Sequence, residues 1–139
     1  MNLYVVYAIM DKRVLLIDDD KAILEALETV LTDQKYLVKT ALTPKDIDSD
    51  IENFDPDLIM LDINLGSFNG LQICKKLKAN PETKDIPVII LSSDDSIFDA
   101  IQIFGADDII LKPVDLDLLL QTVDKNLGAP VISINRGRK

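Results

Sequence analysis

The sequence predicts a single α/β domain built on a five-stranded, doubly wound parallel sheet. Five short apolar runs of strand length alternate with segments that carry apolar residues at helical spacing. The first, third and fourth runs are apolar throughout, as expected of strands that helices cover on both faces. Right-handed crossovers favour the strand order 2-1-3-4-5, which puts the most apolar runs at the centre of the sheet.

The predicted strands are bounded by polar residues or by proline. Pro56 leads into the third strand, and Pro87 occupies the first position of the fourth, where a missing N–H is tolerated. The strands are RVLLID (13–18), YLVKTA (36–41), DLIMLD (57–62), PVIILSS (87–93) and DDIILK (107–112).

Capping residues set the predicted limits of the helices. Asp20 is suited to the N-cap of the first helix, and Thr43 followed by Pro44 to the start of the second. Gly105 and Gly128 are suited to the ends of the fourth and fifth helices. The predicted helices are 20–33, 43–54, 70–80, 94–105 and 115–128.

Composition excludes several classes of function. The net charge of −9 argues against direct binding of nucleic acid, because phosphate contacts need clustered Lys and Arg. The single cysteine, Cys74, excludes an internal disulfide framework and is expected to be a small core residue. A single cysteine without an internal disulfide partner fits a reducing compartment, so we expect a cytoplasmic protein. The sequence has no histidine, which excludes Ser-His and Cys-His catalysis and imidazole metal ligands.

The two ends are expected to lie outside the domain proper. Residues 1–11 are interpreted as an N-terminal extension, whose apolar run is too short to span a membrane and lacks the features of a secretory signal. Residues 12–127 form the predicted domain, and residues 128–139 form a short C-terminal tail without chemical motifs.

Polar residues follow four of the predicted strands at the carboxyl ends, which share one edge of a parallel sheet. Asp18 and Asp19 end the first strand, and Asp62 ends the third. Ser92 ends the fourth strand and Lys112 the fifth. Strands 1 and 3 flank the point where the strand order reverses, and ligands bind there in such sheets. Each residue alone has an ordinary explanation as a cap, a turn or a solvated charge, but together they indicate a site.

The chemistry of this set points to phosphoryl transfer. Two carboxylates about 5 Å apart repel by roughly 3 kcal/mol at an effective dielectric near 20, so the cluster needs water or a cation. Ligands that are all oxygen suit a hard divalent cation, above all Mg²⁺. Asp62 would then be the nucleophile that forms an aspartyl phosphate, while Ser92 and Lys112 bind the other phosphoryl oxygens. Asp20, the third residue of the Asp triplet, is left to start the helix.

Four segments in this order resemble the receiver domain of response regulators in two-component signalling: VLLIDDD, PDLIMLDINLGSFNG, IPVIILSS and GADDIILKP. The resemblance covers about residues 12–127 and implies a CheY-like, flavodoxin-like fold. It implies that Asp62 is the phosphoacceptor, that the Ser92 hydroxyl turns toward the phosphoryl group, and that Lys112 is the ion-pairing lysine. Such a domain is a signalling phosphoacceptor rather than an enzyme with a separate substrate.

The same resemblance implies a metal shell. Asp19 would bind Mg²⁺ directly, Asp18 through water, and the backbone carbonyl of Asn64 would complete the set around Asp62. A cis peptide bond between Lys112 and Pro113 is also implied.

The sequence departs from the usual family pattern at two positions near the site. Gly66 stands where the family usually has a proline, and it predicts a more flexible loop. Ile109 stands where the fifth strand usually has Tyr or Phe, so the usual coupling between the hydroxyl and an aromatic ring cannot operate. Neither change removes a residue needed for phosphorylation.

The resemblance also implies partners and leaves alternatives. The phosphoryl donor would be a sensor histidine kinase or a histidine phosphotransfer protein, and the output would be a downstream target protein or a homodimer through helix 4, strand 5 and helix 5. No contact with a membrane is expected.

One alternative is a pseudo-receiver that binds partners without phosphorylation. Another is a phosphohydrolase with an aspartate nucleophile, although such enzymes have an acid where this sequence has Asn64. A flavodoxin is disfavoured because DDDKA is not a Ser/Thr/Gly-rich phosphate loop.

Overall fold

The computed structural model describes residues 11–128, except residues 96, 98 and 99. Five parallel strands form its main sheet in the predicted order β2-β1-β3-β4-β5. The strands are β1 Arg13–Ile17, β2 Leu37–Ala41, β3 Leu58–Asp62, β4 Val88–Ser92 and β5 Asp108–Leu111. The helices of the described part are α1 Lys21–Asp33, α2 Ile47–Phe54, α3 Gly70–Ala79, α4 Ala100–Phe104 and α5 Leu116–Leu127. The predicted fold, a flavodoxin-like α/β domain with a doubly wound sheet, is confirmed.

The sheet separates two apolar layers. Alternate residues of β1 point to opposite faces, so Val14 and Leu16 pack in one layer and Leu15 and Ile17 in the other. The first layer lies beneath α1 and α5, and the second beneath α2, α3 and α4. Both β3 and β4 are buried along their whole length. Each large side chain buried this way contributes roughly 1.5–3 kcal/mol, so these strands are a firm base for the polar residues at their ends.

The predicted limits of the first, third and fifth helices agree with the structure to within one residue, whereas the α-helix of the fourth segment begins at Ala100 rather than at residue 94. The Asp20 side chain accepts hydrogen bonds from the N–H groups of Ala22 and Ile23 and so caps α1. Gly105 and Gly128 both have positive φ, as residues that end helices often do. Cys74 is fully buried, which confirms its prediction as a core residue.

The start of the second helix was predicted wrongly. Thr43 does not cap a helix, since its hydroxyl accepts a bond from the N–H of Lys45 at 3.3 Å and so supports a turn. The Ile47 N–H bonds the Pro44 carbonyl at 3.0 Å, and the regular helix begins only at Ile47. The Thr-Pro pair thus opens a tight turn that precedes the helix.

Several predictions fall on residues that the structure does not describe. Residues 1–10 and 129–139, which make up nearly all of the predicted extension and tail, lie outside the described residues. The same is true of part of the predicted fourth helix at residues 96, 98 and 99. Within the described part of the chain, no helix is long and apolar enough to cross a membrane.

Candidate functional site

Three carboxylates meet at the carboxyl edge of the sheet. Asp18 follows β1 and is buried, Asp19 beside it is exposed, and Asp62 is the buried last residue of β3. One oxygen atom from each lies within 4.8 Å of those from the other two. This proximity follows from the pairing of β1 with β3, in which Ile17 lies opposite Leu61 directly before the acidic residues.

Lys112 brings an ammonium group into the same site from the end of β5. Its Nζ donates to Asp18 Oδ2 at 2.8 Å and lies 3.3 Å from Asp62 Oδ1. The second oxygen of Asp18 accepts a hydrogen bond from the Asp20 N–H at 2.9 Å. Both oxygens of the buried Asp18 carboxylate therefore have partners, and its charge is compensated more closely than that of Asp62.

Burial and charge shift the protonation of this group of side chains. Burial raises the pKa of the Asp62 carboxyl, and the negative charge of Asp18 raises it further, against the opposing effect of Lys112. Burial lowers the pKa of the Lys112 ammonium, but its hydrogen bond with Asp18 and the charges of both carboxylates outweigh burial, so that pKa is raised. The lysine therefore remains charged at neutral pH, while Asp62 is a weaker acid than a free aspartate.

Ser92 occupies the end of β4 and is buried. Its hydroxyl accepts a hydrogen bond from the Asp94 N–H at 3.0 Å and donates to the Asp94 carbonyl at 3.2 Å. These bonds hold the hydroxyl in the turn after β4. The Ser92 carbonyl accepts from the Lys112 N–H at 2.7 Å, which ties the end of β4 to the residue that carries the ammonium.

The segment after Asp62 is a small antiparallel hairpin, in which Asn64–Leu65 pairs with Phe68–Asn69. Gly66 has a φ of +68° and occupies the first central position of the two-residue turn, where glycine is favoured. Asn69 ends the hairpin and accepts hydrogen bonds from the N–H groups of Leu71 and Gln72, which caps α3. Sequence reasoning expected a loop here; the Gly-Ser pair between two apolar residues is the signal that could have predicted the hairpin.

The structure also describes two other features that the resemblance concerns, the Lys112–Pro113 peptide bond and Ile109. The Lys112–Pro113 peptide bond is cis. Ile109, which stands where an aromatic residue is usual, is 8% exposed and lies within the apolar layer beneath α3 and α4.

The donor atoms at this edge suit a hard divalent cation. Asp18, Asp19 and Asp62 offer carboxylate oxygens only, and Asp19 is exposed, so a cation that keeps part of its water shell can reach the cluster. The negative charge of the three carboxylates also exceeds the single positive charge of Lys112. The residues present therefore fit Mg²⁺ better than a soft metal, which would need sulfur or imidazole ligands.

A family model of the response regulator receiver domain matches residues 14–124 of the chain. This protein therefore belongs to the response regulator receiver family, and the resemblance seen in the sequence is confirmed. Receiver domains bind Mg²⁺ through a cluster of acidic residues.

Individual proteins that resemble the chain come from several organisms. It is 38% identical over 113 residues to RpaA, a DNA-binding dual master transcriptional regulator of Synechocystis, a match that covers 80% of this chain and 47% of RpaA. It is 36% identical over 113 residues to the response regulator PleD of Caulobacter vibrioides, which covers 80% of this chain and 25% of PleD. The chain thus spans a quarter to a half of the length of these relatives.

Solved structures agree with the family assignment. A CheY-like response regulator receiver domain protein from Methanospirillum hungatei superposes with a TM-score of 0.77 at 28% sequence identity, over 86% of this chain and 95% of that one. Almost the whole of a receiver domain is therefore matched by the part of this chain that folds around the sheet.

Proposed function

We propose that the protein is a phosphoacceptor receiver, phosphorylated on Asp62 and signalling through contacts with other proteins. The observation that supports this most directly is the convergence of Asp62 with two further carboxylates and the Lys112 ammonium at one sheet edge. In the transfer, an Asp62 carboxylate oxygen forms a bond to phosphorus, while the bond from phosphorus to an imidazole nitrogen of the donor breaks. The departing imidazole nitrogen takes the electron pair of the broken bond, and the donor leaves as a neutral imidazole because its other ring nitrogen carries a proton.

Asp19 is proposed as a direct Mg²⁺ ligand and Asp18 as a ligand through water, with the backbone carbonyl of Asn64 as a further ligand beside Asp62. The exposure of Asp19 and the full set of hydrogen bonds on Asp18 support this division of roles. When bound, the cation supplies charge that offsets the phosphoryl oxygens and the clustered carboxylates. Residues 12–127 form the functional unit in this proposal, flanked by residues 1–11 and 128–139.

Lys112 and Ser92 are proposed to bind the phosphoryl oxygens after transfer. The Lys112 Nζ already lies 3.3 Å from Asp62 Oδ1, so a small shift of its flexible side chain is enough for an ion pair with a phosphoryl group. The Ser92 hydroxyl needs only to exchange its two bonds to Asp94 for one to phosphate.

The site favours this proposal over the alternatives. A pseudo-receiver has no need for a buried Asp62 beside Lys112 and two other carboxylates. A phosphohydrolase of the haloacid dehalogenase type needs a carboxylic acid two residues after the nucleophile. That position is the exposed amide Asn64, which cannot act as a general acid.

The proposed partners follow from the same chemistry. Because the sequence has no histidine, a donor imidazole must lie outside these 139 residues, on a sensor histidine kinase or a phosphotransfer protein in the cytoplasm. The phosphorylated form is proposed to bind a downstream target protein, without direct contact to nucleic acid or membrane.

Output is proposed to run through the face of α4, β5 and α5, to a target or to a second copy of the chain. Ile103 on α4 is 66% exposed and Leu118 on α5 is 49% exposed, so both helices carry apolar side chains that a partner can cover. With the buried Ile109 in place of an aromatic, backbone shifts after Ser92 must carry the change. Amide exchange with and without beryllofluoride tests this; protection changes that spare β5 and α5 would contradict it.

The phosphorylation itself is tested by mass spectrometry of the intact protein. Incubation with Mg²⁺ and acetyl phosphate should give an alkali-labile adduct of one phosphoryl group in the intact protein, and Asp62→Asn should abolish it. Asp107→Asn, a carboxylate at the opposite edge of the sheet, serves as the matched control and should keep the adduct. An adduct of equal yield in Asp62→Asn would place the acceptor elsewhere.

A further inference from the structure

Gly70, the first residue of α3, lies against the backbone of the phosphosite. It is buried, and its N–H donates a hydrogen bond to the Ile63 carbonyl at 2.8 Å. The chain thus leaves β3 at Asp62, makes the hairpin of residues 64–69 and returns to within contact of the residue it left.

This return leaves no room for a side chain. A Cβ atom added to Gly70 would lie 2.1 Å from the Asp62 carbonyl oxygen, 2.9 Å from the Asp62 carbonyl carbon and 3.0 Å from the Ile63 Cα. All three are backbone atoms, which cannot rotate away as the end of a long side chain can. Either the end of β3 or the start of α3 must therefore move if residue 70 has a Cβ.

The end of β3 is where such a movement matters. Asp62 is placed against Asp18 on one side and 3.3 Å from the Lys112 Nζ on the other. A shift of about 1 Å at a reacting group can reduce a rate by as much as 100-fold, because the attacking atom leaves its line of approach. Two features of the structure thus join Gly70 to the backbone that carries the Asp62 carboxylate: its contact with the Asp62 carbonyl and its hydrogen bond to the Ile63 carbonyl.

We propose that Gly70 is a positioning residue for the phosphoacceptor: its missing side chain lets α3 begin directly against the Asp62 carbonyl and so fixes where the Asp62 carboxylate points. The inference rests on the proposed phosphorylation of Asp62. It assigns a role at the site to a residue that has no side chain and touches neither metal nor phosphoryl group.

The test compares Gly70→Ala with Gly105→Ala in the full chain. Gly105 has a φ of +79°, and its added Cβ would meet the Lys78 Cγ at 3.2 Å, so this control is also strained but lies at the opposite edge of the sheet from Asp62. Both variants are measured for unfolding in urea, for Mg²⁺ affinity by calorimetry and for the rate of adduct formation with acetyl phosphate. We expect Gly70→Ala to slow adduct formation by about 10- to 100-fold and to weaken Mg²⁺ binding, while Gly105→Ala stays within about twofold in both.

A stabilised background guards against loss of folding. Lys35 and Asp55 have φ values of +73° and +54°, which L residues adopt at a cost, so Lys35→Gly and Asp55→Gly relieve strain away from the site. In that background, a folded Gly70→Ala variant with wild-type rate and Mg²⁺ affinity would overturn the inference. So would failure to fold even there, because Gly70 would then serve the fold rather than the carboxylate. No adduct on the wild-type chain would refute the proposed function and this inference together.

Discussion

The two edges of the sheet each contain a lysine paired with aspartate, and the pairs differ in how completely they are satisfied. At the amino edge, Lys78 Nζ lies 2.6 Å from Asp107 Oδ2 and donates to the carbonyls of Ile86 at 2.8 Å and Lys84 at 3.2 Å. The same Asp107 oxygen accepts from the Val88 N–H at 2.8 Å. One ammonium thus meets one carboxylate, and its three donors have three acceptors.

At the carboxyl edge, an equally buried lysine is outnumbered. The side chains of Lys112 and Lys78 are both 17% exposed, but Lys112 faces the carboxylates of Asp18 and Asp62, with Asp19 close by. Three negative charges share one positive charge, and burial together with the charge of Asp18 raises the pKa of Asp62. The balanced pair suits a structural role, whereas the unbalanced cluster suits the cation binding and the reaction at Asp62 that we propose.

The largest expected effect concerns metal binding. Asp19→Asn should weaken Mg²⁺ binding by about 100-fold, equivalent to about 2.7 kcal/mol, because a neutral amide replaces a charged carboxylate ligand. Asp107→Asn, which removes a carboxylate from the balanced edge, should leave Mg²⁺ affinity unchanged. Titration calorimetry measures both. Equal affinities in wild type and Asp19→Asn would refute the assignment of this ligand.

The next effect is on stability. Lys78→Met should lower the free energy of unfolding by about 2 kcal/mol, because Asp107 and two carbonyls lose a charged donor. The rate of phosphorylation at the distant edge should change less than twofold. Urea unfolding and adduct formation are the two measurements, with the exposed Lys75→Met as control. If the variant unfolds at the wild-type urea midpoint, the pair at the amino edge does not stabilise the protein.

The smallest effect is a change in stability with pH. The pKa of Asp62 is raised in the folded protein above its ordinary value of 3.8, so the folded state holds this proton longer than the unfolded state. The contribution of the protonated Asp62 carboxyl to stability is therefore fully present below pH 3.8 and is lost as pH rises through the folded pKa. Asp62→Asn should be more stable than wild type at pH 7, with a gain that shrinks toward pH 4.

The control for this measurement is again Asp107→Asn, at the amino edge of the sheet. Asp107→Asn removes an ion pair and should be less stable than wild type at pH 7, the opposite sign to Asp62→Asn. Urea midpoints of the three proteins at pH 7 and pH 4 give the comparison. A gain for Asp62→Asn that does not change with pH would mean that its cause is not the ionised carboxylate.

Local rules predicted much of the fold, and they failed where two local patterns compete for the same residues. Asp20 caps α1 as its sequence position predicts, because an N-cap is an interaction between near neighbours. Thr43 obeys the same rule in sequence but supports a turn instead, and the helix starts at Ile47. The sequence predicts a flexible loop around Gly66, but the glycine adopts a positive φ and the segment forms a hairpin.

The sequence by itself determined the order of the strands and the composition of the site. Apolar runs that lack alternation make a buried parallel sheet, and the carboxyl ends of parallel strands share one edge, so Asp18, Asp62 and Lys112 had to converge. Periodicity reports which face or end a residue occupies, but it contains no distances. Only the tertiary structure decided that Lys112 lies nearer to Asp18 than to Asp62 and that Gly70 contacts the Asp62 carbonyl. Those distances depend on the length and the path of the loops that connect the strands and helices.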